Sequence, residues 1–350
     1  MSSLRLSDFD YELPDGAIAQ QPLPDREAAR LLLLDRRGEW QHRGVRDLPE
    51  LLAPGDLLVV NRSRVFPARL LGRLRGGGAA EVLLLRDVAP AHGSGAWEAF
   101  VRPGRRLRPG ESVELGEETR VRVETRAIAP DGRRRVRIEA PHGDPARAIE
   151  RLGRPPLPPY IRREATQADR ERYQTIYARE SGSVAAPTAG LHFSERLLER
   201  LASRGVERAE IVLHVGPGTF QPVQVDDVSQ HRVAAEPFVV PLEAVAAVAR
   251  ARARGSRVVA VGTTVVRALE SVATDEGSIE ERSGETALVV LPGFRFRVVD
   301  ALLTNFHMPR SSLLLLVCAF AGRERVLAAY AHAIAAQYRL YSYGDAMLIL

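Results

Sequence analysis

Residues 258–271 read VVAVGTTVVRALES, a short apolar run that ends at Gly262 and passes directly into a stretch with helical spacing. A buried strand followed by a tight turn and a helix is the repeating unit of an α/β fold. The apolar runs AEIVLHVG and TALVVLPG repeat the strand signal, and residues 194–203, 242–254 and 324–338 repeat the helical one. This alternation predicts a parallel or mixed sheet with helices on its faces.

A different pattern occupies residues 68–140. Six short segments, among them AEVLLLR, AWEAFVR and TRVRVETRA, alternate apolar and polar residues and are divided by Gly or Pro. Such segments predict a small antiparallel sheet or barrel, and the Pro-rich segment RPPLPPY at residues 154–160 marks the exit from it. We therefore expect a discontinuous α/β catalytic domain over residues 1–66 and 152–350, with a β-barrel domain inserted at residues 67–151.

The composition excludes several classes of enzyme. The 350 residues carry 49 Lys and Arg against 44 Asp and Glu, a net charge of +5, and every one of the 49 is arginine. Without lysine the chain has neither a Walker A phosphate loop nor an amine for Schiff-base chemistry. Its single cysteine, Cys318, excludes an internal disulfide, a CxxC zinc site and an iron–sulfur cluster held by three cysteines. None of the eight histidines has a second His or Cys at ligand spacing, so we expect no metal.

The sequence also lacks the signals of a membrane or secreted protein. The apolar run LLLLVCAFA around Cys318 has roughly half the length that a membrane crossing requires. The N-terminal residues MSSLRLSDFDYEL mix acidic and polar groups where a signal peptide would have an apolar core. We therefore expect a cytoplasmic protein without membrane contact.

Four loops combine Gly or Pro with His, Thr or Asn directly beside an apolar run. They contain GSVAAPTAGLHF at residues 182–193, HVGPGTFQPV at 214–223, the turn within 258–271, and LLTNFHMPRSSLLLLV at 302–317. Loops at the ends of strands are where α/β folds place ligands. Free N–H groups at a helix start bind anions, which makes the turn after Gly262 a candidate carboxylate site.

Each of these features also has a purely structural interpretation. A Ser or Thr before a helix, such as Ser311 or Ser312, is usually only a helix cap, and a single His is most often a hydrogen-bonded part of the fold. Three histidines in such loops, His192, His214 and His307, are a stronger indication of chemistry than any one of them. The residues alone predict an α/β enzyme that binds a small molecule with an anionic group.

Ten long segments, in order and nearly end to end, resemble the S-adenosylmethionine:tRNA ribosyltransferase-isomerase family of queuosine biosynthesis. They include LSDFDYELP, PLPDREAARLL, PGDLLVVN, PLPPYIRR with ERYQTIYA, the four loop motifs, and SYGDAML near the C-terminus. The resemblance implies an enzyme that moves the ribosyl part of S-adenosylmethionine, its co-substrate, onto 7-aminomethyl-7-deazaguanine at the tRNA wobble position. Epoxyqueuosine-tRNA would be the product, with adenine and methionine released. An α/β domain with an inserted small β-barrel is the fold it implies.

Such a reaction needs a base that frees the attacking amine, an acid that helps adenine to leave, and removal of a proton from C5′. Histidine titrates near neutrality, so the candidate catalytic residues are His192, His214 and His307. Asp345 is a candidate partner that orients an imidazole or holds a ribose hydroxyl. The candidate substrate-binding residues in the matching motifs are Thr188, Gly190, Gly216, Gly218, Thr219, Thr263, Thr264, Arg267 and Asn305.

Two positions depart from the family pattern. Arg62 stands where the family usually has a small polar residue, and Ala234 stands where it commonly has a second His, three residues beyond His231. Because this chain has no imidazole at position 234, that group is not essential to its activity. His231 is therefore a weaker candidate for a catalytic residue.

The expected macromolecular partner is tRNA. Candidate phosphate-binding residues crowd a Pro/Gly loop of the barrel and the Pro-rich exit; they are Arg102, Arg105, Arg106, Arg108, Arg162 and Arg163. A solvated barrel surface is the structural alternative for them. We expect a monomer.

Two other functions remain as alternatives. One is a different S-adenosylmethionine-dependent tRNA-modifying enzyme such as a methyltransferase, but GxGxxG fails because position 221 is Gln. The other is a non-catalytic RNA-binding protein built on the barrel, for which the chain has few aromatic residues to form a stacking platform.

Overall fold

Two separate sheets organise the chain. The computed structural model describes residues 4–35, 38–88, 95–220 and 222–350. Its strands are β1 Arg30–Leu34, β2 Trp40–Gly44, β3 Leu57–Asn61, β4 Ser63–Val65, β5 Arg69–Leu74, β6 Ala79–Asp87, β7 Ala96–Arg102, β8 Ser112–Gly116, β9 Thr119–Val123, β10 Arg134–Glu139, β11 Glu180–Ser183, β12 Glu207–Leu213, β13 Glu236–Val240, β14 Val258–Val261, β15 Arg282–Thr286, β16 Ala301–Asn305 and β17 Ala346–Ile349. Its α-helices are α1 Leu48–Leu51, α2 Pro145–Leu152, α3 Asp169–Arg172, α4 Glu195–Ser203, α5 Leu242–Ala253, α6 Thr263–Ser271, α7 Ser312–Ala321 and α8 Arg323–Ala335.

A nine-stranded sheet of order β15-β13-β12-β3-β14-β16-β17-β1-β2 forms the α/β body. Strands β12, β3, β14 and β16 run parallel at its centre, while β17 is antiparallel to β16 and parallel to β1. Strands β13, β15 and β2 are antiparallel additions at the two edges. The prediction of a mixed sheet is therefore confirmed.

The central strands are buried on both faces. In β3, Leu57 and Val59 belong to the large core under α5, α6, α7 and α8, whereas Leu58 and Val60 belong to the core that α1 and α4 cover. A parallel sheet covered on both sides has continuous apolar strands for this reason. It explains why β3, β14, β16 and β17 carry no exposed residue.

The second sheet is a closed antiparallel barrel of order β10-β7-β6-β5-β8-β9. Its core is built from alternate residues of each strand, for example Leu70, Val82, Ala99, Val121 and Val136. All six segments that the sequence pattern marks as strands form this barrel, so the prediction of an inserted β-barrel is confirmed. Its strands span residues 69–139; domain boundaries at 66/67 and 151/152 stay a prediction.

Helical predictions agree closely with the structure, and one strand prediction is wrong. Helices α4, α5 and α6 coincide with the predicted periods, and Ser194 caps α4 by accepting the N–H of Leu197. The apolar run at residues 286–293 is not a strand, because β15 ends at Thr286. Side chains bind the backbone there instead: Arg267 Nε donates to the Leu288 carbonyl at 2.9 Å, and the Leu288 N–H donates to Thr286 Oγ1 at 3.2 Å.

No helix in the described part of the chain combines the length and apolar character that crossing a membrane demands.

The barrel joins the body through two adjacent segments. Arg69 and Arg154 form an antiparallel bridge in which each N–H donates to the other carbonyl, at 3.1 and 2.9 Å. Gly153 lies so close to the incoming segment that a Cβ on it would be 2.0 Å from the Pro67 carbonyl oxygen. Only glycine permits this approach of two backbones.

We expect Gly153→Ala to lower the free energy of unfolding by about 1–3 kcal/mol, since the added methyl forces these two segments apart. Gly76→Ala is the matched control, because a Cβ at Gly76 would have nothing within 4 Å; its effect should stay within about 0.5 kcal/mol. Denaturant unfolding of both variants measures the difference, and equal stabilities would contradict this account of the junction.

Candidate active site

A cavity of about 1290 Å³ lies between the barrel and the body. This volume exceeds the roughly 300–1,000 Å³ of most small-molecule pockets. Both sides mix apolar and polar residues: the barrel side also carries charged residues such as Arg86 and Glu98, and the body side also carries apolar ones such as Val215 and Leu313. Two groups matter here, an apolar group on the barrel side and a polar group on the body side, which we call the polar wall. Its lining includes Phe66, Leu85, Trp97, Phe100 and Ile149 on the first side and His214, Gly216, Gly218, Thr219, Glu236 and Arg267 on the second.

A pocket of about 50 Å³ opens at the carboxyl ends of β14 and β16. It shares Val215, Thr219 and Leu313 with the large cavity, so the two adjoin each other. Carboxyl ends of central parallel strands are the usual ligand site of such sheets. Six predicted site residues line this pocket, and they are Thr188, Thr219, Thr263, Thr264, Asn305 and His307.

His307 follows β16 and is held on three sides. Its Nε2 lies 2.7 Å from Thr304 Oγ1, its N–H donates to the Tyr330 hydroxyl at 3.0 Å, and its carbonyl accepts the Tyr11 hydroxyl at 2.6 Å. Burial lowers the pKa of His307 to about 3. The imidazole is therefore neutral near pH 7 and has one unprotonated ring nitrogen, although the same burial disfavours the charged form that a transferred proton would create.

Asn305 connects the pocket with His192. Its Nδ2 donates to His192 Nε2 at 3.1 Å and to the carbonyls of Tyr341 and Asp345 at 3.2 and 3.4 Å. Its Oδ1 is buried and has no hydrogen-bond partner among the described residues. A buried acceptor of this kind is costly unless a ligand or water satisfies it.

His192 lies behind Asn305 and lines neither of these two cavities. Burial, with smaller contributions from Arg26 and Arg339, lowers its pKa to about 4. The neutral Nε2 accepts the Asn305 amide, which fixes the orientation of that side chain. This geometry gives His192 a supporting position instead of the direct contact expected from the sequence.

His214 follows β12 and lines the large cavity. Its ring packs against Gly182, where a Cβ would lie 2.8 Å from the imidazole atoms Cε1 and Nδ1. Nδ1 has no hydrogen-bond partner in the described part of the chain. Burial lowers the pKa of His214, while Glu180 opposes that shift.

A buried carboxylate holds the loop that follows His214. Glu236 Oε1 accepts the Gly216 N–H at 2.7 Å and the Thr219 hydroxyl at 3.2 Å, and Oε2 accepts Arg267 Nη1. Arg267 also donates to the carbonyls of Leu288 and Thr286. Its guanidinium is thus largely bound to the protein, and together with Glu236 it fixes the polar wall of the cavity.

Sequence reasoning missed Glu236 as well as Asn61. Asn61 Nδ2 donates to the Leu213 carbonyl at 2.9 Å, and its Oδ1 accepts the N–H groups of Leu213 and Ser63. The sequence does contain one sign of the role of Glu236, since it is an acidic residue at the start of the apolar strand EPFVV. A charge buried in such a strand needs a partner. The partner itself lies 31 residues away.

Besides His192, two predicted site residues lie outside both cavities. Asp345 accepts the backbone N–H groups of Arg30 and Arg339 at 2.9 and 2.8 Å, so its carboxylate shapes the C-terminal turn. Gly190 is required by packing, since a Cβ there would lie 2.3 Å from the Tyr177 hydroxyl. Neither residue lines the large cavity or the strand-end pocket.

The predicted RNA-binding arginines fall into two groups. Four lie on the barrel, are exposed, form no ion pair within the described ranges, and line neither cavity; they are Arg102, Arg105, Arg106 and Arg108. Arg162 is exposed at the exit from the barrel. Arg163 instead forms a two-pronged ion pair with Asp169 at 2.7 and 2.8 Å, which removes it from the arginines that are free to bind phosphate.

Among residues 4–35, 38–88, 95–220 and 222–350, no group of three or more His, Cys, Asp or Glu side chains could hold a metal ion.

The two buried histidines predict how stability depends on pH. Both native pKa values lie below the ordinary 6.5, so below pH 6.5 the unfolded chain binds protons that the native protein does not. The free energy of unfolding should therefore fall on acidification, by up to about 1.4 kcal/mol per pH unit for each residue down to its native pKa. Replacing either residue by Gln should reduce the slope of stability against pH between 6.5 and 4.5, whereas at pH 7–8 the slope should match the parent. A variant with the parent slope at acid pH would contradict the burial of a neutral imidazole.

Comparisons with known proteins find matches along nearly the whole chain. The family model described as "Queuosine biosynthesis protein" matches residues 6–349. Relatives named S-adenosylmethionine:tRNA ribosyltransferase-isomerase include one from Anaeromyxobacter sp., 55% identical over 348 residues and 99% of both chains, and one from Moorella thermoacetica, 53% identical over 99% of this chain and all of that one. The crystal structure of an S-adenosylmethionine tRNA ribosyltransferase from Thermotoga maritima is 39% identical, covers 98% of this chain and 100% of its own, and superposes with a TM-score of 0.56. The chain belongs to the queuosine biosynthesis protein family.

Proposed function

We propose that the protein is an S-adenosylmethionine:tRNA ribosyltransferase-isomerase. It transfers the ribosyl part of S-adenosylmethionine to the amine of 7-aminomethyl-7-deazaguanine in the tRNA wobble position and isomerises it, releasing adenine and methionine. Family membership and the shared name of the full-length relatives support this activity. A cytoplasmic location, a monomeric state and the absence of a metal remain predictions.

One observation carries the proposal: a large cavity and a small polar pocket adjoin, and polar atoms at both lack partners. His214 lines the cavity and has a buried Nδ1 without a hydrogen bond among the described residues, and Asn305 lines the pocket and has a buried Oδ1 of the same kind. The volume of about 1290 Å³ has room for a nucleoside and a second heterocycle. A bound substrate with several donors and acceptors would satisfy such atoms after a small movement of the side chains.

The pocket at the start of α6 suits the carboxylate of the methionine part of S-adenosylmethionine. Thr263 and Thr264 stand in the first turn of this nine-residue helix and line the pocket. First-turn N–H groups have no acceptor within the helix, and the helix dipole favours a negative charge there. We assign the carboxylate to this position, with Thr188 at the opposite wall.

We assign the candidate roles in proton transfer to two histidines. His214 faces the large cavity, and His307 faces the adjoining pocket. Since burial keeps His307 neutral, its role is to accept a proton or a hydrogen bond, and His214 remains the candidate for exchange with the attacking amine or the leaving adenine. We assign His192 to the support of Asn305, and Asp345 to the support of the C-terminal turn.

The exposed barrel arginines remain the candidate contacts for tRNA phosphates. Arg105 and Arg106 carry no ion pair in the described part of the chain and lie on the loop that follows β7. Phosphate binding by such residues makes affinity fall steeply with salt concentration. Arg163 is excluded from this set by its pairing with Asp169.

The decisive experiment is chromatography of a reaction that contains S-adenosylmethionine and tRNA bearing the deazaguanine amine. We expect free adenine and methionine in equal amounts; a methyltransferase would release S-adenosylhomocysteine instead. His307→Ala should lower turnover by about a hundredfold, a typical loss for a residue that acts in proton transfer. His332→Ala, on α8 and outside both cavities, is the control and should behave as the parent. Adenine that stays attached to its sugar with the parent protein would overturn the proposed function.

Glu236→Gln tests the support of the polar wall. Removing one partner of a buried ion pair leaves the Arg267 charge uncompensated, which typically costs about 3–5 kcal/mol of stability. The double variant Glu236→Gln with Arg267→Met should regain part of that stability. We expect the KM for S-adenosylmethionine to rise at least about tenfold in both variants, because neither retains the carboxylate that binds the loop at Gly216 and Thr219. A double variant that recovers the parental KM together with stability would show that the pair serves the fold alone.

A further inference from the structure

An aromatic pair lines the barrel side of the large cavity. Trp97 stands near the start of β7, opposite Val136 of β10 and Asp87 of β6. Its ring centroid lies 5.3 Å from that of Phe66, with 31° between the ring planes. Phe66 is 6% exposed and Trp97 is half-buried, so Phe66 backs an indole that is still accessible from the cavity.

The packing of the barrel does not account for this position of Trp97. The buried core of the barrel contains Phe66 and smaller side chains such as Leu70 and Val82, whereas Trp97 is only partly buried against it. The part of the indole that the core leaves uncovered belongs to the lining of the cavity.

The residues that line the cavity indicate which shape of ligand it binds. The aromatic pair gives the cavity lining an apolar surface, and His214, Thr219 and the Glu236–Arg267 pair give it polar groups. Planar heterocycles have an apolar face and polar edges, and stacking on an aromatic side chain contributes about 1–3 kcal/mol per base. A purine-like ring therefore matches both the aromatic pair and the polar wall.

We propose that Trp97, backed by Phe66, forms a stacking subsite for a purine-type heterocycle. This inference rests on the proposed function, which supplies two such rings: the adenine of S-adenosylmethionine and the deazaguanine base of the RNA. Stacking holds one of the two reacting heterocycles against the barrel. The polar edge of that ring and the sugar beside it then face the polar wall, which carries His214.

The chain contains only two tryptophans, Trp40 and Trp97. Trp40 lies on β2, at the opposite edge of the body sheet from β13, about 34 Å away for seven strand spacings. The variant Trp40→Phe therefore leaves Trp97 as the sole tryptophan reporter in the cavity. Trp97→Phe leaves Trp40 as a remote reporter and is its matched control.

Tryptophan fluorescence of both variants is titrated separately with S-adenosylmethionine and with an anticodon stem-loop that carries the deazaguanine amine. Quenching in Trp40→Phe but not in Trp97→Phe is the expected result. Quenching by S-adenosylmethionine alone identifies the stacked ring as adenine, and quenching by the RNA alone identifies it as the RNA base. Absence of quenching by either ligand, under conditions where both bind, would overturn the subsite.

Steady-state kinetics give an independent readout. Trp97→Leu should raise the KM for the quenching substrate about tenfold, the factor that corresponds to 1.4 kcal/mol, and leave the other KM near the parental value. Trp97→Phe keeps an aromatic face and should stay within about threefold of the parent in both. Thermal unfolding checks that Trp97→Leu is folded. If the parent releases adenine but both KM values are unchanged in Trp97→Leu, the subsite is rejected while the proposed function stands.

Discussion

The buried contact between Glu236 and Arg267 fixes the arrangement on which the candidate site depends. It joins strand β13 to helix α6, and through the Gly216 N–H and the Thr219 hydroxyl it also holds the loop after β12. Arg267 extends the same network to the carbonyls of residues 286 and 288. An uncompensated charge at this depth would be costly, so the four segments are constrained to one geometry. The polar wall of the cavity is the surface of that network.

The architecture and the position of the site follow from local pattern. Continuous apolar runs predict strands that are buried on both faces, and period-two alternation predicts the barrel, because burial imposes these periods directly on the sequence. Loops after parallel strands meet at one sheet edge, which is why Thr263 lines one pocket with Asn305 and His307, more than forty residues further along the chain. Both the architecture and the position of the site can therefore be predicted without knowing which side chains are in contact.

Roles of individual residues depend on contacts that no local pattern records. His192 resembles the other loop histidines in sequence, yet its partner is Asn305, 113 residues away, and Asp345 binds the N–H of Arg30, 315 residues away. The run at residues 286–293 has the composition of a strand, but Arg267 and Thr286 bind its backbone. Such long-range pairings decide whether a polar side chain faces a cavity or supports one.

The paired segments at Arg69 and Arg154 have a mechanical consequence. Both covalent connections between the barrel and the body pass through this single narrow stem, whose backbones are in direct contact at Gly153. The barrel has its own closed hydrogen-bond ladder, but its core also includes Val184 of the body, so the two parts share packing beyond the stem. Because the cavity lies between the barrel and the body, the stem and this shared packing together set its width.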